Sequence, residues 1–380
     1  MEKINSIFEA TVKDLVSDGR GVITHPRGRT MFAAGVWPGE HAKFRIKALK
    51  GSTGSAELVE LLSSSPDRIT APCPHHGFEE AKCGGCPWQF MSYDAQLKAK
   101  QMRVEKAFSR LGVENVREIW HSPKVMGYRN RAQFKSNGRE LGFVSSQSNT
   151  LAPIEDCLVL SDKNRQTLSE LLTLLPNPLW RGNRKKPLIS IDINEDVGAE
   201  NINIDKRLPF AQANSEQNLR MQSWLLNKLS VINKSNTVIE LFCGSGNFTQ
   251  VIASQKFAKI VAVESVDEAL DAVKQKSLLN VKTLRQNLFL EGAFEKLRSK
   301  YAEASVLVLD PPREGIKNKE GLFYKKSKLK KVFYISCDLA TLVRDVQEFK
   351  LHKFSVVEVQ PLDQFPHTPH IELLVELTRA

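Results

Sequence analysis

Four short apolar runs in the C-terminal half, each opening at once into a polar, glycine-rich or proline-rich loop, set the tightest limit on how this chain can fold. Val238-Ile239-Glu240-Leu241 runs into Phe242-Cys243-Gly244-Ser245-Gly246-Asn247, and Ile260-Val261-Ala262-Val263 ends at Glu264. Val306-Leu307-Val308-Leu309 ends in Asp310-Pro311-Pro312-Arg313, and Val332-Phe333-Tyr334-Ile335 leads to Ser336-Cys337. Near-continuous apolar runs of this length suit buried strands, and their alternation with helical patterns from about residue 207 to the end predicts one doubly wound α/β domain. In such an open sheet the ligand lies outside the carboxyl ends of the strands. A buried strand that delivers Cys337 into one of those loops presents a nucleophile beside a bound ligand.

With 380 residues, the chain has room for two or three domains. Residues 1–65 read as a small β module. Ile7-Phe8-Glu9-Ala10-Thr11-Val12 and His41-Ala42-Lys43-Phe44-Arg45-Ile46 alternate as half-buried strands do, with glycines 19, 21, 28, 35 and 39 at the turns. Ala56-Glu57-Leu58-Val59-Glu60-Leu61 is expected to close the sheet, which suits a small barrel of the OB type. Ser63-Ser64-Ser65-Pro66 reads as a linker. From 92 to 112, Leu97, Val104, Ala107, Phe108 and Leu111 share one helical face and Gly112 is a natural stop. Residues 127–160 look β-rich, with strands expected at 131–135 and 141–144. The net charge of +11 favours a polyanionic partner. No apolar stretch is long enough to cross a bilayer and no apolar leader opens the chain, so a cytoplasmic protein with no membrane partner is expected.

Three of the six cysteines fall within Cys73-x9-Cys83-x2-Cys86, in a Gly- and Pro-rich loop. The Cys-x2-Cys spacing lets two sulfurs turn to one site, and Cys157 is the candidate fourth ligand. Four thiolates suit an iron–sulfur cluster or Zn²⁺, and His75 or His76 could complete a zinc site instead. In Gly127-Tyr128-Arg129-Asn130-Arg131 an aromatic ring sits with two guanidinium groups, Arg129 and Arg131, which suits phosphates and an unstacked base. An edge strand with exposed arginines fits the same residues.

The loop at 242–247 lacks both G-x-G-x-x-G and a P-loop lysine. Glu264, about 20 positions on, stands where ribose hydroxyls are held in Rossmann-like sheets. That combination makes S-adenosylmethionine the leading cofactor, with Cys243 packed beneath it.

Three segments now stand together: Leu309-Asp310-Pro311-Pro312-Arg313-Glu314-Gly315, Ile335-Ser336-Cys337-Asp338-Leu339-Ala340-Thr341-Leu342, and Leu362-Asp363-Gln364-Phe365-Pro366-His367-Thr368-Pro369-His370-Ile371-Glu372. They resemble the motifs of the RNA uracil-C5 methyltransferases, and the resemblance covers nearly the whole chain. It is nearest the branch that modifies 23S rRNA, with an N-terminal TRAM domain and a [4Fe–4S] cluster. The resemblance implies a TRAM domain at 1–65, a central β-rich iron–sulfur region at 66–91 and 125–206, and a Rossmann-like methyltransferase domain at 92–124 and 207–380. It implies that Cys337 adds to uracil C6, that Glu372 removes the C5 proton, and that Asp310 contacts the base edge. Phe210-Ala211-Gln212-Ala213-Asn214 matches a segment whose glutamine touches the cofactor, so Gln212 joins Phe242, Gly244, Glu264, Asn287 and Asp310 as implied cofactor residues. Cys73, Cys83, Cys86 and Cys157 are the implied cluster ligands. His367 and His370 read as structural hydrogen-bonders, and no obligate protein partner is evident.

Two departures stand out. Asp338-Leu339 replaces the family's usual Asn-Pro, and a carboxylate beside the thiol is expected to raise its pKa. The first cysteine spacing, x9, is longer than the usual x5. Other readings are transfer RNA as substrate, base N-methylation, and a non-catalytic rRNA-binding assembly factor. An aromatic residue after Asp-Pro-Pro would favour N-methylation, but Arg313 stands there. Loss of Cys337 or Glu372 would favour the assembly factor, but both are present.

Overall fold

A computed structural model of the chain describes residues 3–146, 148–206, 211–317, 319, 321–324 and 327–379. Phe210 lies outside the described residues. The chain divides into two compact units, one of residues 1–98, 124–208 and 365–370, the other of residues 99–123, 209–364 and 371–380.

The first unit holds two sheets. A six-stranded sheet is built from β1 (Ile7–Thr11), β2 (Asp14–Leu15), β3 (Gly21–Thr24), β4 (Thr30–Ala33), β5 (His41–Lys50) and β6 (Thr53–Ser63), in the order β1-β5-β6-β4-β3-β2. The alternation in β5 is reflected in burial: Ala42, Phe44 and Ile46 are fully buried, and the residues between them face out. Lys43 meets Glu60 at 2.8 Å and Arg45 meets Glu57 at 3.5 Å, so acids on β6 answer part of the basic face. The strand expected to close the sheet instead runs through its middle, antiparallel to β5 and parallel to β4.

The second sheet follows α1 (Tyr93–Ser109), most of which belongs to the other unit. It comprises β7 (Arg131–Ser136), β8 (Leu141–Val144), β9 (Leu151–Pro153), β10 (Ile189–Asn194) and β11 (Asn203–Ile204), in the order β11-β10-β7-β8-β9. α2 (Asp162–Thr173) buries Leu168 and Leu171 in the core beneath it, with Phe134 and Ile191.

The second unit carries the doubly wound sheet. Its elements are α3 (Ser215–Ser230), β12 (Thr237–Leu241), α4 (Thr249–Ser254), β13 (Lys259–Glu264), α5 (Asp267–Gln275), β14 (Val281–Arg285), α6 (Ala293–Tyr301), β15 (Ala304–Leu309), β16 (Lys331–Ser336), α7 (Leu339–Leu351), β17 (Ser355–Leu362) and β18 (Glu372–Thr378). The strand order is β14-β13-β12-β15-β16-β18-β17, with the first five strands parallel and β18 antiparallel to both neighbours.

The continuous apolar runs have a simple cause, because successive side chains enter two different cores. Ile239, Leu241, Leu307, Leu309, Val332 and Tyr334 join one core with α1, α6 and α7. Val238, Val306, Val308, Phe333 and Ile335 join the other with α3 and α4. Each such apolar side chain contributes roughly 1.5–3 kcal/mol on burial, so these strands carry no regular polar face. Strand order reverses between β12 and β15, the switch point where an open sheet leaves a crevice for its ligand.

Candidate active site

Cys337 follows directly on the last residue of β16, and its thiol is half-buried. The Ser336 hydroxyl bonds the backbone of Asp338, and the Asp338 carboxylate accepts from the Thr341 N–H at 2.9 Å, capping α7. Asp and Asn cap helices about equally well, so this acid belongs to the helix start. The leading influences on the thiol come from other groups. Burial acts first, then the charges of Glu372 and Asp310, and together they push the Cys337 thiol up to about 12, while Arg313 pulls it down.

Glu372 opens β18, opposite Leu362 of β17, and is 3% exposed. Burial, then repulsion from Asp310, hold its carboxyl well above the usual carboxylate range, with Arg313 opposing. Asp310 comes directly after β15, its N–H 3.4 Å from the Leu241 carbonyl at the end of β12, and burial pushes its carboxyl up to about 7. Both carboxyls are thus held above the ordinary carboxylate range by burial, and charge on either disfavours charge on the other. A thiol and two carboxyls thus bear on one another at the carboxyl ends of β15 and β16 and the start of β18.

Arg313 is the counter-charge to the thiol and to Glu372. Sequence reasoning noticed it only as a residue that is not aromatic. The signal available was its place three residues after Asp310, on the loop leaving a central strand. Glu240 was also overlooked. It is 1% exposed within β12 and accepts the Thr249 hydroxyl at 2.6 Å. Burial, with Asp310 adding, pushes it up to about 8 against that hydrogen bond.

The implied cofactor residues lie mostly on loops at the ends of β12, β13 and β14. Phe242 has φ +63°, a left-handed conformation that costs a bulky residue on the order of 1–3 kcal/mol. Its ring centroid is 5.8 Å from that of Phe289. Gly244 (φ +50°) donates its N–H to Glu264 Oε2 at 3.2 Å, and Glu264 Oε1 accepts from the N–H groups of Ser265 and Val266. A Cβ at Gly244 would meet nothing within 4 Å, so open space lies over the loop where a ligand can approach the backbone. Asn287, just beyond β14, accepts from the Phe289 N–H at 2.9 Å. Gln212 accepts from the Gln364 amide at 3.1 Å. Cys243 is buried with Ala262, Leu270 and Val273, a packing role. Strained loop, open backbone and anchored acid together fit a ligand that approaches the backbone closely and offers hydroxyls to a carboxylate.

In the first unit, Cys73, Cys83, Cys86 and Cys157 line one pocket with His75, His76 and Phe143. Gly84 permits this, because a Cβ there would stand 2.7 Å from the Ser146 nitrogen. The Gly85 N–H donates to the Cys83 sulfur at 3.4 Å. Burial raises the thiols of Cys83, Cys86 and Cys157, the last up to about 11, and Arg129 opposes. Among the described residues, no three His, Cys, Asp or Glu side chains are placed to hold a single metal ion. The His75 ring accepts from the Glu155 N–H. A polynuclear cluster spreads its thiolates over several metal atoms, and four thiols around one pocket, with an N–H aimed at a sulfur, are compatible with that donor set.

The two arginines assigned to RNA also bear on groups of the protein itself. Arg129 bears on the thiol pocket, and Arg131 lies 3.6 Å from Asp192. Tyr128 is buried and donates its hydroxyl to the Pro366 carbonyl, so its ring is not offered to a base. His367 has φ +67°, its N–H donates to Gln96 Oε1 at 2.8 Å, and its carbonyl accepts from the Trp88 N–H, consistent with a structural role.

The family described as tRNA (Uracil-5-)-methyltransferase matches residues 194–380. An uncharacterized RNA methyltransferase of Nitrosomonas europaea is 38% identical over 374 residues, 96% of this chain and 95% of the relative. The 23S rRNA (uracil(1939)-C(5))-methyltransferase RlmD of Francisella tularensis subsp. novicida is 28% identical over 437 residues, 96% of this chain and 95% of its own. The crystal structure of Pyrococcus abyssi tRNA (uracil-54, C5)-methyltransferase with S-adenosyl-L-homocysteine superposes with TM-score 0.72 at 21% identity, covering 97% of this chain and 99% of that one.

Proposed function

We propose that this chain, which belongs to the RNA uracil-5-methyltransferase family, methylates C5 of a specific uridine in 23S rRNA with S-adenosylmethionine as donor. Its likeness over nearly full length to RlmD supports the ribosomal substrate. Transfer RNA is the second reading, favoured by the description of the matched family. The observation that carries the reaction is the mutual electrostatic action of Cys337, Glu372 and Asp310 at the ends of neighbouring strands.

Uracil C5 is a weak nucleophile. The Cys337 thiolate forms an S–C6 bond, and the electron pair displaced from the C5–C6 double bond makes C5 reactive toward a methyl cation equivalent. When bound, S-adenosylmethionine supplies that methyl group and, through its sulfonium, a positive charge that favours ionisation of nearby acids. Glu372, once ionised, accepts the C5 proton. The electrons of the C5–H bond then restore the double bond, the S–C6 bond breaks, and the thiolate is regenerated. Asp310 holds the base edge or polarises the ring, and Arg313 stabilises the negative charge that develops on sulfur. The target base leaves its stack to reach the thiol.

Gln212, Phe242, Gly244, Glu264 and Asn287 would hold the donor, with Glu264 facing ribose hydroxyls. Cys73, Cys83, Cys86 and Cys157 would ligate a [4Fe–4S] cluster. Residues 1–65 would serve as a TRAM-like RNA-binding module, aided by Arg129 and Arg131. The test uses anaerobically purified protein, methyl-labelled S-adenosylmethionine and unmodified 23S rRNA or transfer RNA. 5-Methyluridine formed on 23S rRNA by the wild type and absent with Cys337→Ala is the expected result. Product on transfer RNA alone would keep the chemistry and overturn the substrate. No product on either would overturn the reading.

A further inference from the structure

The loop that carries Asp310 and Arg313 is tied to α7 by one buried carboxylate that the reaction itself does not use. Asp345 lies on α7 and is fully buried. Its Oδ2 accepts from the Ile316 N–H at 2.7 Å and from the Tyr334 hydroxyl at 2.7 Å. Its Oδ1 lies 2.7 Å from Lys319 Nζ and accepts from Arg344 Nε at 3.0 Å. Arg344 in turn donates to the Glu314 carbonyl at 2.9 Å and the Ile316 carbonyl at 3.3 Å. One helical turn earlier, the Thr341 hydroxyl donates to the Arg313 carbonyl at 2.9 Å. Gly315 (φ +68°) is needed because a Cβ there would stand 2.5 Å from Asp345 Oδ2 and 2.6 Å from an Arg344 nitrogen.

We infer that Asp345 is a positioning residue for the methyl transfer: it fixes the 313–317 loop to the helix that follows Cys337, and so sets Arg313 and Asp310 relative to the thiol. α7 starts two residues after Cys337, and Tyr334 lies three residues before it. The carboxylate therefore joins both elements flanking the nucleophile to the loop bearing the acid and the counter-charge. A buried acid with donors on both oxygens is rigid, because losing any partner leaves a desolvated charge. Positional errors of about 1 Å at a reacting centre cost about 10²-fold in rate. The inference rests on the proposed reaction.

The test compares wild type, Asp345→Ala, Asp345→Asn and Thr341→Val in turnover, in KM for both substrates, and in amide hydrogen exchange. Thr341→Val removes only one hydroxyl and guards against misfolding of the buried variant. For Asp345→Ala, kcat is expected to fall about 10²-fold with both KM values within about threefold. Asp345→Asn, which keeps one acceptor oxygen, is expected to recover part of that loss, and Thr341→Val to lose a few-fold. Backbone amides at 313–317 are expected to exchange about tenfold faster in Asp345→Ala while β12 and β13 keep their protection. Unchanged kcat and unchanged exchange at 313–317 would overturn the inference, as would loss of protection throughout the unit. The exchange arm needs no turnover, so an inactive wild type whose loop loosens in Asp345→Ala would sink the proposed function and leave the clamp standing.

Discussion

The thiols of Cys337 and Cys86 are both raised, but by different neighbours. At Cys337 burial is followed by two carboxyls, Glu372 and Asp310. At Cys86 burial is followed by the other thiols, Cys157, Cys83 and Cys73. Each setting has one arginine in opposition, Arg313 in the first and Arg129 in the second. Thiols that suppress one another's ionisation are relieved together by shared cations, which suits ligands. A thiol suppressed by carboxyls is relieved when charge beside it changes during a reaction, which suits a nucleophile.

Exchanging the two settings is the strongest way to break this contrast. Cys337→Ala is expected to lower 5-methyluridine formation by about 10⁴-fold or more, with bound iron and sulfide unchanged. Cys86→Ala is expected to lose the iron and sulfide and to melt several degrees lower. Iron analysis and thermal melts on both variants decide it. Full iron in Cys86→Ala would remove the ligand half of the contrast.

Glu372→Gln sharpens the nucleophile's side. The S–C6 bond can still form, but the C5 proton has no acceptor, so turnover should fall by about 10²–10⁴-fold. A protein–RNA adduct should then build up on denaturing gels. Turnover close to wild type, with no adduct, would assign proton removal to another group.

What could be read from the chain differs between these regions for physical reasons. The strands ending at Leu241, Glu264, Leu309 and Ser336 were legible because burial on both faces leaves a continuous apolar signature. β2, at two residues, is too short to show a pattern. The insertion of β18 between β16 and β17 depends on pairing between segments far apart in sequence. Lys100 is fully buried in α1 and lies 2.6 Å from Asp363, a partner supplied from more than 260 residues away that no local pattern reveals. Within the site, the residue types at Cys337, Asp310 and Glu372 were legible from local motifs. Arg313 was not, because its importance comes from the thiol on β16 and the acid on β18.

Arg313→Gln should have a smaller effect, read in the pH dependence. Arg313 lowers both the thiol and Glu372. The thiolate is the active form, so the rate rises as pH passes the thiol pKa, and removing the cation moves that limb to higher pH. Because the guanidinium is exposed, screening should limit the shift to roughly 0.5–1 unit. An unmoved limb would show that Arg313 does not act on the thiol during turnover.

The smallest effect on catalysis, and one read in stability, belongs to Glu240. Its carboxyl sits up to about 8 in the folded protein against 4.5 for the ordinary group, through burial and then Asp310, with the Thr249 hydrogen bond opposing. Below pH 4.5 both folded and unfolded chains hold the proton and Glu240 costs nothing. Between 4.5 and 8 the unfolded chain releases it first, so stability falls as pH rises through that window, and above 8 the full cost remains. That cost approaches about 5 kcal/mol as an upper bound. Gln keeps an acceptor for the Thr249 hydroxyl and removes the titration, so Glu240→Gln should melt with the wild type near pH 4.5 and several degrees above it at pH 8.5. Asp310, raised in the same direction, keeps some pH dependence in the variant. Parallel melting curves across the whole range would mean that Glu240 ionises inside the folded protein as freely as it does in water, and that the crevice between β12 and β15 is wetter than its burial implies.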